Sequence, residues 1–173
     1  AGSLRVVGPA DPAGSGDDAK ANATPARHER ALDPTTQGKL ANLQAAVGDA
    51  YREAGELRDA IDAYRRALER CPQFHDIRHR LGSALREAGL PGQAVAELRR
   101  VLRSAPDHLA SAVQLGLAYY GMGRLDEAVR EWAAALARDP GRADALLYLR
   151  LVKARHSAAS TPSGPASDDD ATA

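Results

Sequence analysis

The sequence predicts an all-α fold of stacked antiparallel helix pairs, and three observations carry that prediction. The composition favours helix over strand. Between residues 41 and 142 the apolar side chains recur at helical spacing. Those same residues repeat with a fixed period of 34.

Composition sets the outer limits. The 173 residues hold 23 basic and 23 acidic side chains, so no whole-chain field draws the protein to nucleic acid or to an anionic membrane. All but three of the basic residues are Arg, alanine is abundant, and the aromatics are five Tyr, one Trp and one Phe. With Cys71 as the single cysteine, the chain can form neither an intramolecular disulfide nor a Cys-based zinc knuckle. No apolar run is long enough to cross a membrane, and residues 1–16 lack the apolar core of a signal peptide. The cytoplasm is the expected compartment; because the chain begins at Ala1, the alternative is an exported or periplasmic protein whose leader or anchor has been removed.

Residues 1–33 are rich in Ala, Gly, Pro, Asp and Ser and are read as a disordered low-complexity tail, with room for a short helix capped by Thr24, with Pro25 in its first turn and Leu32 as its only large apolar residue. Residues 157–173, which include Asp168, Asp169 and Asp170, are read as a disordered acidic tail. One helical domain is expected over 34–156.

Within it, blocks 41–74, 75–108 and 109–142 align without a gap. Identical in all three are Gly48/Gly82/Gly116, Ala50/Ala84/Ala118, Gly55/Gly89/Gly123, Ala60/Ala94/Ala128, Leu68/Leu102/Leu136 and Pro72/Pro106/Pro140. Each block reads as helix, turn, helix. The first helix carries a stripe (Val47, Tyr51, Ala54; Leu81, Leu85, Ala88; Leu115, Tyr119, Met122) and stops at Gly55, Gly89 or Gly123. The second carries a buried stripe (Ile61, Tyr64, Leu68; Val95, Leu98, Leu102; Val129, Trp132, Leu136) and ends at the block's proline. Pro91 falls in a first helical turn, where its missing N–H is not needed. Gly48 with Ala60, and their equivalents, allow the two helices of a pair to approach closely. Residues 143–156, with Leu146, Leu147, Leu149, Leu151 and Val152, form a capping helix over the last face, and Lys153 and Arg155 suit its C-terminal dipole.

These blocks resemble the tetratricopeptide repeat, whose 34-residue unit has Trp/Leu, Leu, Gly, Tyr, Ala, Phe, Ala and Pro at set positions. Block one supplies Val47, Gly48, Tyr51, Ala60, Tyr64, Ala67 and Pro72, and block three Leu115, Gly116, Tyr119, Ala128, Trp132, Ala135 and Pro140. Block two is looser, with Leu81, Gly82, Leu85, Ala94, Leu98, Val101 and Pro106, and the opening Trp/Leu is replaced throughout, by Gln44, Arg78 and Ala112. The resemblance implies a right-handed superhelical α-solenoid with a concave groove lined by the first helix of each repeat.

It also implies where a ligand lies. The groove positions are Asn42, Ala45, Asp49, Arg52 and Glu53 in block one, and Asp76, His79, Ser83, Arg86 and Glu87 in block two. In block three they are Ala110, Val113, Leu117, Tyr120 and Gly121. Such a groove is polar over two repeats and apolar at the third, and suits a peptide with one hydrophobic anchor held by Val113, Leu117 and Tyr120. The capping helix or the N-terminal tail covering these three is the competing expectation. Family members that clamp a chaperone's C-terminal carboxylate use Lys and Asn where this chain has Ala45, Asp49 and Arg80, which argues against that subtype.

The expected function is therefore a non-enzymatic interaction scaffold or adaptor that binds a peptide segment or protein subunit. The alternative is a non-catalytic arm of a larger enzyme or membrane-associated complex. Arg65, Arg66, Arg70, Arg99, Arg100 and Arg103 on the second helices are read as a solvated face interleaved with Asp62, Glu69 and Glu97, so nucleic acid is not an expected partner. Cys71, His75 and His79 have ligand-like spacing, but Pro72 separates Cys71 from the helix and the two histidines are read as surface groups; no metal or cofactor is expected. No Ser/His/Asp or Cys/His set is expected to meet, Gly121 and Gly123 belong to a turn, and Trp132 is assigned to the core. Homo-oligomerisation is not favoured.

Overall fold

In the computed structural model of the chain, residues 33–159 are described, with side chains over 33–155. The Thr24–Leu32 helix and the Asp168–Asp170 run fall outside them. The described residues form seven helices and no strand: α1 Pro34–Glu53, α2 Leu57–Arg70, α3 His75–Glu87, α4 Pro91–Ser104, α5 Leu109–Gly121, α6 Leu125–Arg138 and α7 Ala143–Ala159. Helices α1 and α2, α3 and α4, and α5 and α6 pack as hairpins, and each second helix packs in turn on the first helix of the next hairpin. The result is a helical solenoid.

Helix α1 starts ahead of the first 34-residue block because the sequence supplies a cap there. Asp33 accepts the Thr36 backbone N–H at 2.9 Å and the Thr36 hydroxyl at 2.6 Å, with Pro34 at the first helical position. Those bonds, the hydroxyl first, hold the Asp33 carboxyl below its usual range.

The repeated glycines do two separate jobs. Gly55, Gly89 and Gly123 have φ of +80°, +75° and +74°, a conformation that any Cβ would strain. Each closes its helix with the same pair of bonds; at the first, Gly55 N–H donates to Arg52 and Glu56 N–H to Tyr51. Gly48, Gly82 and Gly116 instead make room for the second helix of their own hairpin. A Cβ there would lie 2.7 Å from the Tyr64 ring, 2.7 Å from Leu98 and 2.3 Å from the Trp132 indole nitrogen. Gly116→Ala should therefore overpack this junction and cost about 1–3 kcal/mol, read as a lowered urea midpoint at unchanged m-value; a midpoint equal to wild type would mean the helices approach less closely than described.

Small and large residues then alternate into one core. Ala60, Ala94 and Ala128 are fully buried beside Tyr64, Leu98 and Trp132, and the Trp132 N–H donates to the Val113 carbonyl at 3.1 Å. The absent opening Trp/Leu also has a local answer in block two. Arg78 fills that space, pairing with Glu97 of α4 at 2.8 Å and donating to the Pro72 carbonyl at 2.7 Å.

Two stripes differ from expectation. In α1, Val47 and Tyr51 are substantially exposed, whereas the equivalent residues of α3 and α5 are buried, because no hairpin precedes α1 among the described residues. In α7 the packing face is Ala145, Tyr148, Leu149 and Val152; Leu146, Leu147 and Leu151 lie outside it.

Candidate functional site

The first helices α1, α3 and α5 present the predicted groove positions, and residues about one period apart meet across adjacent repeats. Arg52 Nε donates to Glu87 at 2.8 Å and its Nη2 at 3.1 Å, a two-pronged pair between α1 and α3. This pairing, and the nearby Glu87 charge, hold the Arg52 guanidinium above its usual range. Asp49 accepts from Arg80 at 2.8 Å and from the Tyr64 hydroxyl at 2.7 Å. Burial, reinforced by that carboxylate, raises the Tyr64 phenol well above its ordinary value. Arg86 reaches Gln114 of α5 at 3.0 Å and Glu87 at 3.3 Å.

The mixed charge of the groove is thus largely compensated within the protein. Asp49, Arg52, Glu53 and Glu87 line an open recess of about 410 Å³. Glu53 is the carboxylate there with no ion pair among the described residues, and Asn42 lies exposed earlier on α1. Glu53 is thus the carboxylate that this end of the groove leaves open to an outside cation.

Three predicted groove positions, Ala45, Ser83 and Val113, are withdrawn from it. Ser83 is 4% exposed and Val113 3%, so neither can touch a ligand. In the first two hairpins the position of Val113 is likewise occupied by Ala45, buried, and His79, half-buried against the next repeat, so the position is a packing one. Leu117 and Tyr120 are half-buried. The Tyr120 hydroxyl accepts from Arg155 of α7 at 2.5 Å, and its ring lies 6.2 Å from Trp132, so the capping helix does reach part of this patch. Leu147 and Leu151 stand one period after Val113 and Leu117 and are each 53% exposed.

A set that sequence reasoning did not bring together lies at the α3–α5 junction. His79 Nδ1 is 3.0 Å and His108 Nδ1 2.9 Å from the Ser111 hydroxyl, and His108 Nε2 is 3.2 Å from Asp76. The Ser111 backbone N–H also donates to His108 Nδ1, which fixes that nitrogen as an acceptor. One pattern then satisfies every group: His79 Nδ1–H donates to Ser111, the Ser111 hydroxyl to His108, and His108 Nε2–H to Asp76. Asp76, His108 and Ser111 follow the order of a hydrolytic triad, but the Ser111 side chain is completely buried and cannot reach a substrate. The available signal was the near-period spacing, since His79 and Ser111 are 32 residues apart, as are Asp76 and His108.

His79 is therefore not a surface histidine. Burial first, and then His108, push its pKa down to about 4, with Arg52 and Arg80 acting in the same direction and Asp76 opposing. Because the folded value lies below the unfolded 6.5, the unfolded chain binds the proton more tightly. Stability should be full above pH 6.5 and decline as the pH falls towards 4. His79→Gln should flatten that decline in urea midpoints taken across the window; an equal slope in the variant would assign it to other groups.

Cys71 is buried, His75 lies 3.3 Å from the Ser104 hydroxyl, and no group of three or more His, Cys, Asp or Glu side chains is placed to hold a metal among the described residues. On the second helices, Arg65 lies 3.6 Å from Asp62, Arg100 2.8 Å from Glu97, and Arg99 over the Tyr119 ring. No helix among the described residues is long and apolar enough to cross a membrane.

Comparison with known proteins places this architecture. Residues 46–108 and 113–149 match the tetratricopeptide repeat family. No curated protein sequence matches. Among solved structures, the chain is similar to the Sgt2 TPR domain from Aspergillus fumigatus, with a TM-score of 0.67 and 21% identity over 77% of this chain and 90% of that one. It is similar to the second TPR domain of human RPAP3, solved in complex with the HSP70 peptide SGPTIEEVD, with a TM-score of 0.63 and 18% identity over 69% and 98% of the two chains. YrrB, described as a TPR protein with an unusual peptide-binding site, gives a TM-score of 0.58 and 26% identity over 68% of this chain and 60% of its own. With the matched family residues extending over more than half of its length, the chain belongs to the tetratricopeptide repeat family.

Proposed function

We propose that the protein is an interaction scaffold whose concave groove binds a peptide segment of a partner protein, cationic at the α1 end and apolar at the α5–α7 end. The observation that carries this is the division of the groove. The α1–α3 end offers the recess lined by Asp49, Arg52, Glu53 and Glu87, in which Glu53 has no internal cation. The other end offers Leu117, Tyr120, Leu147 and Leu151, with Arg155 held on the Tyr120 hydroxyl. A buried apolar anchor supplies most of the affinity of such a contact, and the charge supplies its direction.

The fold neighbours that bind peptides support a peptide ligand, but their acidic sequences suit a groove of the opposite sign. The HSP70 peptide SGPTIEEVD in the RPAP3 complex carries two Glu and an Asp among its last four residues. Here Glu53 and the paired Asp49 stand at the α1 end, and Arg80 is already engaged by Asp49. A basic flank is the complementary one.

Peptides selected from a displayed random library against the full chain should carry Lys or Arg on one side of a Leu, Ile or Phe anchor. Reversing the charge with Glu53→Arg should weaken them while helicity by circular dichroism is unchanged. Selection of peptides rich in Asp and Glu would contradict the proposed polarity.

A further inference from the structure

The large residues of α3 and α5 that face the preceding hairpin are covered by it, and the same positions of α1 are open. Ile77, Leu81 and Leu85 are 2%, 3% and 1% exposed; one period earlier, Leu43, Val47 and Tyr51 are 64%, 39% and 38%. These three stand at i, i+4 and i+8, one stripe of the helix, with the small exposed residues Ala46, Ala50 and Ala54 beside them. Large side chains flanked by alanines make a surface that another helix can approach closely. The stripe lies apart from the groove positions Asn42, Asp49, Arg52 and Glu53, so cover on one side leaves the other available.

The rest of the chain is poorly suited to cover it. Residues 1–32 contain only Leu4, Val6, Val7 and Leu32 as large apolar side chains, with no three at helical spacing. The apolar faces of α2, α4 and α6 are buried within their own hairpins and against the helix that follows. The stripe itself, however, is self-complementary.

We infer that α1 is a self-association face, through which two copies pair with their α1 helices antiparallel about a two-fold axis near Val47. That arrangement sets Val47 against the partner's Val47 and Leu43 against the partner's Tyr51. It also brings Lys39, one turn before Leu43, towards the partner's Glu56, just beyond Tyr51. Both Lys39 and Glu56 are exposed and neither has an ion pair among the described residues. A parallel pairing would set Lys39 beside the partner's Lys39 instead. The two-fold contact closes at a dimer, whereas a head-to-tail contact would grow an open chain.

A single 20-residue helix is about 30 Å long, and one helix-on-helix contact buries less than a standard interface. The dimer should accordingly dissociate in the range of about 1–100 µM.

Sedimentation velocity of the full chain over about 5–500 µM tests this. The expected result is an 18.3 kDa monomer converting to a dimer with rising concentration. Val47→Glu and Leu43→Glu should each weaken dimerisation about 100-fold with unchanged far-ultraviolet circular dichroism, because both side chains already meet solvent. Leu147→Glu in α7 should leave the dimer intact. Lys39→Glu should weaken it about tenfold, and adding Glu56→Lys should restore it. A monomer at every concentration would overturn the proposal and give the stripe to another polypeptide or to residues 1–32. A dimer that survives both α1 variants, or is lost in Leu147→Glu, would overturn it too.

Discussion

Trp132→Ala is expected to lower the stability of the protein by about 3–5 kcal/mol, a large part of what a domain of this size possesses. The indole is nearly completely buried, it fills the space that Gly116 leaves between α5 and α6, and its N–H satisfies the Val113 carbonyl. Its ring also lies 5.3 Å from Tyr148 of α7 and 6.2 Å from Tyr120 of α5. Truncation therefore opens a cavity, removes the indole hydrogen bond and removes a ring contact to the capping helix. Because stability in a repeat array is a sum of local and nearest-neighbour terms, the loss should concentrate in α5 to α7. Hydrogen exchange should show faster amides there while α1 and α2 keep wild-type protection; uniform loss would mean that the array unfolds as one unit.

Leu117→Arg should abolish capture of a groove ligand without unfolding the protein. Leu117 lies at the predicted anchor, but unlike Val113 it retains exposed surface, so a long cationic side chain can turn outward at modest cost to folding. In the groove it would replace the apolar contact with a charge that the ligand's anchor cannot solvate. A loss of about 2–4 kcal/mol of binding, or about 30- to 1000-fold in Kd, is expected from isothermal titration with a selected peptide. Unchanged affinity at unchanged helicity would remove the α5–α7 end from the site.

Which parts of the molecule could be read in advance follows from how local their causes are. Gly55, Gly89 and Gly123 report a positive φ that nothing but glycine takes easily, and Pro72, Pro106 and Pro140 stop a helix by themselves, so a 34-residue period in those columns is enough to lay out α2 to α6. Trp132 was assignable to the core because it occupies the repeat's aromatic position, and the structure sets it against Gly116. The start of α1 was less legible: its Asp33 cap precedes the first complete block, where the period offers no guide.

The site residues depend on contacts between repeats, and there the linear pattern is ambiguous. Arg52 and Glu87 are 35 residues apart, Asp49 and Arg80 are 31 apart, and His79 and Ser111 are 32 apart. Only the stacking of α1 on α3 and of α3 on α5 brings them within bonding distance. The same stacking buries Val113 and Ser83 while exposing Leu43, Val47 and Tyr51 at the end of the array. One helix position is core, groove or edge according to what precedes and follows it.

The groove is tested most directly by nuclear magnetic resonance titration of the uniformly labelled full chain with a library-selected peptide. The largest amide shifts should fall on Asp49, Arg52, Glu53 and Glu87 at one end and on Leu117, Tyr120 and Leu151 at the other, with α2 and α4 nearly silent. Shifts centred on the Arg-bearing faces of α2 and α4, or spread evenly over the chain, would contradict binding in the groove.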